Sequence, residues 1–162
     1  MSTALTREQN DLRDAVADLI AKRSPEAQVR RLMAADTGRD AGAWAELASM
    51  GLLGLTIPEQ FGGAGAGAAE LAVVSEQMGR ALMCGPYLSS AVLTPYLLLA
   101  LGDTSECAEA LPRIAAGELI ATVALAEPVG DAAGSARPPE HPNTHASAAG
   151  DSWKLTGGKT YV

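Results

Sequence analysis

Up to about residue 118 the apolar positions recur at helical spacing, and beyond it they break into short runs of β-forming residues. The stretch "TREQNDLRDAVADLIAK" opens on a capping box, Thr6 with Gln9 three residues on, and sets Leu12, Val16, Leu19 and Ile20 on one stripe. "SPEAQVRRLM" predicts a second helix, with Ser24 as N-cap and Pro25 at the first helical position. A third runs through Trp44, Leu47 and Met50 and stops at Gly51. Leu71, Val74, Met78 and Leu82 mark a fourth stripe. "PYLSSAVLTPYLLLALG" is apolar enough to predict a fifth helix buried on most sides, kinked or restarted at Pro95. "SECAEALPRIAAGE" predicts a short sixth, closed by Gly117.

Then the period changes. "LIATVALAE" (119–127) is rich in β-formers, and "THASAA", "SWKLT" and "KTYV" are short runs split by Gly150-Asp151 and Gly157-Gly158, dipeptides suited to two-residue hairpin turns. Between them lies the Pro- and Gly-rich loop "PVGDAAGSARPPEHPN". The pattern predicts a mainly α chain: an all-α domain over 1–118, then the beginning of an antiparallel β-domain over 119–162 that stops inside its last strand. A sheet so small is marginal by itself.

Composition narrows the function. With 162 residues the chain holds one domain with a real core, or one domain and a piece of another. The formal charge is −7 and the 12 Lys and Arg are scattered, so no basic stripe exists to neutralise nucleic-acid phosphates. Cys84 and Cys107 stand alone without CxxC spacing, which fits a reducing compartment. "MSTALTREQNDLRD" has no apolar signal core, and no run nears the ~18 apolar residues of a membrane helix, so a cytoplasmic location is expected.

Candidate chemistry centres on "IPEQFGGAGAGAAEL" (57–71), where glycines crowd ahead of a helix as they do in many phosphate cradles. Gly63, Gly65 and Ala68 match the loose dinucleotide pattern G-x-G-x-x-A. That fingerprint needs a strand before the first glycine and an acid about twenty residues on. Pro58-Glu59-Gln60-Phe61 intervenes instead, and "MCGPY" stands where the acid belongs. The glycines are therefore read as serving a tight inter-helix loop. "GGKT" (157–160) resembles a phosphate loop, but Trp153 occupies the required first glycine. His141 and His145 are four apart with Pro142 between them, and are read as solvated loop residues; no metal site is expected. Glu8, Asp11, Asp14 and Asp18 form a solvated helix face.

An ordered series of motifs is more distinctive than any of these. "LASMGLLGLTIPEQFGGAG", "LLLALGDTSECAEALPRIAAGE", "ATVALAEPVG" and "SWKLTGGKTYV" together resemble the acyl-CoA dehydrogenase family. In that family a turn like "G-L-x-G-L-x-I-P-E-x-x-G-G" follows the third helix, and the sixth ends in "L-P-x-x-x-x-G-E". A strand then carries "T-E-P", and a hairpin carries "L-x-G-x-K-x-W-[IV]". The resemblance covers essentially the whole chain, and places it at the N-terminal end of a usual member.

The resemblance implies α,β-dehydrogenation of an acyl-CoA thioester, with a glutamate removing the α-proton and FAD accepting the hydride. It implies that Val123, Ala124, Leu125, Ala126, Glu127 and Pro128 run along the flavin ring, that Tyr161 takes the place of the tryptophan packed on the isoalloxazine, and that Val162 follows it. Ser135 of Gly134-Ser135 matches the serine near the flavin and thioester, so it is the candidate substrate contact. The family's catalytic glutamate lies in a C-terminal helical domain, so no catalytic residue is expected here and the chain alone should be inactive. An electron-transfer flavoprotein is the implied electron acceptor, and a homo- or hetero-oligomer, dimer or tetramer, the implied assembly. Two positions depart from the pattern: Ala126 replaces the usual threonine, and Ala136 the acid after "G-S". Such divergence resembles actinobacterial-type enzymes for steroid-CoA substrates. The alternatives are a non-catalytic partner subunit of a heteromeric dehydrogenase, and a free-standing helical binding module.

Overall fold

A computed structural model describes residues 4–102, 104–127, 142–160 and 162. The chain divides into two compact units, Met1–Ala121 and Thr122–Val162.

The first unit carries α1 (Arg7–Arg23), α2 (Glu26–Met33), α3 (Ala41–Ser49), α4 (Ala68–Arg80), α5 (Thr94–Leu101) and α6 (Ser105–Ala115). A single 3₁₀ turn (Glu59–Phe61) precedes α4, and a π-helical segment (Tyr87–Leu93) runs directly into α5. The helix count follows the periodicity, and the ends follow local chemistry. Thr6 and Gln9 close the expected capping box on α1, each side chain bonded to the other's backbone N–H at 3.2 and 3.0 Å. Gln9 also donates to Glu70 Oε1 at 2.8 Å, tying the start of α1 to α4. Asp40, a cap the periodicity did not reveal, accepts from the Ala43 amide at 2.9 Å and opens α3, and that bond holds its carboxyl below the usual range. Gly51 (φ +73°) and Gly117 (φ +75°) end α3 and α6 in the left-handed conformation, as expected.

Three expectations are corrected. Ser24 does not cap α2: its hydroxyl donates to the Ala81 carbonyl at 3.2 Å, and Pro25 precedes the helix. Leu82 is not on the α4 stripe, because the helix ends at Arg80 and Leu82 turns out to solvent at φ +49°. The fifth helix is not buried on most sides. Only Thr94 and Pro95 of α5 are buried, while Tyr96, Leu97 and Leu101 are exposed, because α6 and the π segment pack on one flank only.

Two apolar clusters hold this unit. Val16, Leu19 and Ile20 of α1 meet Trp44 and Leu47 of α3, Val74 and Met78 of α4, and Tyr87 and Val92 of the π segment. Ile57 and Phe61 meet Cys107, Leu111 and Ile114 of α6 in the second. Fully burying one such side chain contributes about 1.5–3 kcal/mol. The polar ends of the large aromatics are satisfied: Tyr87 Oη donates to the Leu52 carbonyl at 3.0 Å and Trp44 Nε1 to that of Gly117 at 3.3 Å. Burial pushes the Tyr87 hydroxyl up to about 12.

The second unit contains one antiparallel hairpin, β1 (His145–Ala149) with β2 (Ser152–Thr156), turning at Gly150-Asp151 as expected. Ala149 pairs with Ser152 and His145 with Thr156, so His145 lies on an exposed strand rather than in a loop. Residues 119–127 form no strand among the described residues, despite their β-forming composition. A strand needs a paired neighbour, and past the Leu119 N–H bond to Arg113 O that closes α6, this stretch has among the described residues a single backbone–backbone bond, from Thr160 N–H to the Ala126 carbonyl at 2.9 Å. Gly157-Gly158 does not turn a second hairpin; it leads into that contact.

Candidate functional site

The glycine loop is closed upon itself. Gly62 N–H donates to Glu59 O at 2.9 Å, Gly63 to Pro58 O at 3.3 Å and Ala64 to Gly54 O at 3.0 Å. Gly65 donates to Ile57 O at 2.9 Å, Ala66 to Leu55 O at 2.8 Å, and Gly67 to Glu70 Oε2 at 3.0 Å. The loop amides from Gly62 to Gly67 are therefore all engaged within the chain. Gly63 explains why glycine is needed: a Cβ there would sit 2.0 Å from the Ile57 carbonyl oxygen. The loop is a packing device, in agreement with the sequence reading.

The helical unit also contains an apolar cavity of about 300 Å³. Trp44 and Met78 form part of its wall, with Met83, Tyr87, Leu82 and Leu88 around them. Leu82 and Leu88 are 72% and 64% exposed, so apolar surface is presented at its edge. Its size is at the lower end of small-molecule sites.

In the second unit the notable feature is a buried carboxylate. Glu127 is 2% exposed and accepts three hydrogen bonds. Asn143 N–H approaches Oε2 at 2.6 Å, Thr144 N–H reaches Oε1 at 3.1 Å, and Lys159 Nζ reaches Oε1 at 2.8 Å. The Lys159 ammonium, then Thr144 and the two amides, lower the Glu127 carboxyl to about 2 against the opposing effect of burial. Lys159, the basic residue of "GGKT", thus serves a carboxylate. Ala126 beside it is 4% exposed, so the position that lacks a threonine hydroxyl is a packed one. From Thr122 to Leu125 the backbone N–H and C=O groups have no partner among the described residues. A further hydroxyl, Thr160 Oγ1, is buried with no hydrogen-bond partner.

Of the residues singled out in sequence, Val123, Ala124, Leu125, Ala126 and Glu127 form this one extended stretch, and Val162 is exposed. Pro128, Ser135, Ala136, His141 and Tyr161 lie outside the described residues. Sequence reasoning missed Asn143, Thr144 and Lys159 as partners of Glu127. The available signal was a lone carboxylate ending an apolar run, which calls for a cation elsewhere in the chain.

Residues 6–118 match the family described as acyl-CoA dehydrogenase, N-terminal domain. The chain is similar to the acyl-CoA dehydrogenase IpdE2 of Mycobacterium tuberculosis, 39% identical over 119 residues, covering 73% of this chain and 36% of that protein. It is also similar to a solved variant of the Tcur3481-Tcur3483 steroid ACAD, with 31% identity and a TM-score of 0.78 over 94% of this chain and 40% of the other. The ChsE4-ChsE5 complex of Mycobacterium tuberculosis gives a TM-score of 0.81 at 28% identity, over 97% of this chain and 40% of the other. The chain spans between 20% and 39% of the length of curated relatives it matches. With the helical unit matched over 6–118, this chain belongs to the acyl-CoA dehydrogenase family through its N-terminal domain.

Proposed function

We propose that this chain is the N-terminal part of a flavin-dependent acyl-CoA dehydrogenase, divided into a helical domain over 1–118 and the beginning of a β-domain over 119–162. The observation that carries the reading is the Thr122–Glu127 stretch: its end is buried and anchored, while the backbone groups of Thr122–Leu125 remain open among the described residues. The unpaired backbone groups, together with the orphaned buried hydroxyl Thr160 Oγ1, fit the hydrogen-bonding needs of FAD, whose ring edge and ribityl chain carry both donors and acceptors. Val123, Ala124 and Leu125 would hold the cofactor through main-chain groups, with Tyr161 and Val162 as further contacts. Pro128 and Ser135 keep the cofactor and substrate roles that the resemblance implies.

When bound, FAD supplies the two-electron acceptor for α,β-dehydrogenation of an acyl-CoA thioester. The apolar cavity beside Trp44 and Met78 supports a binding role for the acyl portion, because it offers apolar surface to a hydrocarbon. The likeness to a steroid ACAD supports including bulky acyl groups among the substrates. No residue of this chain is assigned as the base that removes the α-proton. An electron-transfer flavoprotein as acceptor, a homo- or hetero-oligomeric assembly and a cytoplasmic location complete the reading. Among the described residues no helix is long and apolar enough to cross a membrane.

The test is to purify the full-length protein, record its flavin absorbance, and assay it with straight-chain and steroid acyl-CoAs and an artificial electron acceptor. A yellow protein that is bleached by an acyl-CoA is expected, whereas the 162-residue chain alone should bind no FAD stably and turn nothing over. A colourless full-length protein overturns the enzyme reading.

A further inference from the structure

The second unit is organised around a charge rather than around apolar side chains. Both strands of its hairpin are exposed along their length, and among the described residues from 122 onward only Ala126 and Glu127 are buried. Three stretches remote in sequence meet there: Ala126-Glu127, Asn143-Thr144 and Lys159-Thr160. Glu127 bonds two of them with one carboxylate, and the Thr160 N–H bond to the Ala126 carbonyl runs alongside the Lys159 pair. Gly157 presses against the same point, since a Cβ there would lie 2.6 Å from Thr144 Oγ1 and 2.7 Å from Thr144 Cα.

We propose that Glu127 and Lys159 are positioning residues, a clamp on a buried carboxylate that fixes the open backbone of Thr122–Leu125, and the segment leading to Tyr161, in the attitude that a planar cofactor requires. The proposal rests on the flavin reading above. A carboxylate taken out of water is costly unless paired and fully hydrogen-bonded, and apolar residues of similar volume often stabilise a fold as well or better. What an ion pair supplies instead is direction: its donors must sit at fixed angles about two oxygens, so three segments are registered at once. The resemblance gives Glu127 a place along the cofactor through its backbone; its side-chain oxygens, which accept from Asn143, Thr144 and Lys159, give it the positioning role in addition.

The experiment compares Glu127→Gln, Lys159→Met, Lys159→Arg and the double apolar replacement Glu127→Leu/Lys159→Met, in the 162-residue chain and in the full-length protein. In the chain, amide hydrogen exchange of Asn143, Thr144 and Thr160 should quicken about tenfold or more in Glu127→Gln and Lys159→Met, the scale of one charge-assisted hydrogen bond, while the α1 and α4 amides stay as they were. In the full-length protein the FAD dissociation constant should rise about tenfold or more, with a shifted flavin absorption band, and Lys159→Arg should restore most of both. The double apolar replacement separates positioning from mere support: it should keep the thermal midpoint yet still lose flavin affinity. Wild-type exchange rates in Glu127→Gln, or wild-type flavin affinity and spectrum in the double replacement, would overturn the clamp. A wild-type full-length protein without flavin would instead remove the functional reading on which the positioning role depends, whatever the exchange rates.

Discussion

Gly63→Ala tests the account of the glycine loop most directly. The added Cβ would lie 2.0 Å from the Ile57 carbonyl oxygen and 2.5 Å from both its carbonyl carbon and its Cβ. Carbon–oxygen contacts settle at about 3.3 Å, so the backbone has to separate by more than an ångström, and no rotamer change can absorb that. Moving Gly63 away from Ile57 strains the Ala64–Gly54 and Gly65–Ile57 bonds of 3.0 and 2.9 Å. Two lost hydrogen bonds at about 1 kcal/mol each, with about 1–3 kcal/mol of overpacking, give about 3–5 kcal/mol. At about 2–4 °C per kcal/mol for a chain of this size, the midpoint should fall by about 6–20 °C. Gly62→Ala is the control: its φ is +78° but its Cβ meets nothing within 4 Å, so it should cost only about 1 kcal/mol of backbone strain. Urea and thermal unfolding of the three chains, followed by far-UV circular dichroism, give the comparison, and added pyrophosphate should leave the wild-type midpoint unmoved. If Gly63→Ala costs no more than Gly62→Ala, or if pyrophosphate raises the midpoint, the packing account is wrong.

Leu111→Ala, at a fully buried position of α6, should cost about 2–5 kcal/mol by urea titration. Tyr87→Phe leaves the buried Leu52 carbonyl without its donor and should cost about 1–3 kcal/mol in the same assay. The Glu127 carboxyl is lowered from 4.5 to about 2, so its stabilisation is complete above pH 4.5 and disappears as the pH falls toward 2. Amide exchange at Asn143 and Thr144 should accelerate over that acid window, and a flat profile there would contradict the three-donor arrangement.

The helical unit was legible because its signals are local. A capping box, a glycine stop and an apolar stripe each lie within a few residues, and α1, α3 and α6 follow them closely. Where partners are distant the reading failed. Composition says that Leu97 and Leu101 are apolar, but their burial depends on which neighbours reach α5. The β-forming composition of 119–127 cannot say whether a strand will find a pair. The motif series identified the Thr122–Glu127 stretch as the candidate site, yet the bond between Glu127 and Lys159 spans 32 residues and leaves no periodic trace.

The π-helical segment sets the rotational phase of α5. Each i→i+5 ring takes in one residue more than an α-turn, so Tyr87–Leu93 advances the helical phase of everything after it by about 100° without adding a loop. Pro95 has no N–H to give, and both the amide and the hydroxyl of Thr94 converge on the Ser89 carbonyl, the latter at 2.8 Å, so the wide ring hands over to α5 with that acceptor engaged. Against a chain whose helix had only α-turns, such a residue would read as a single-position insertion inside an apparently continuous helix. Closing the wide ring to an ordinary α-turn would rotate α5 by the same angle and carry its buried residues, Thr94 and Pro95, away from their place.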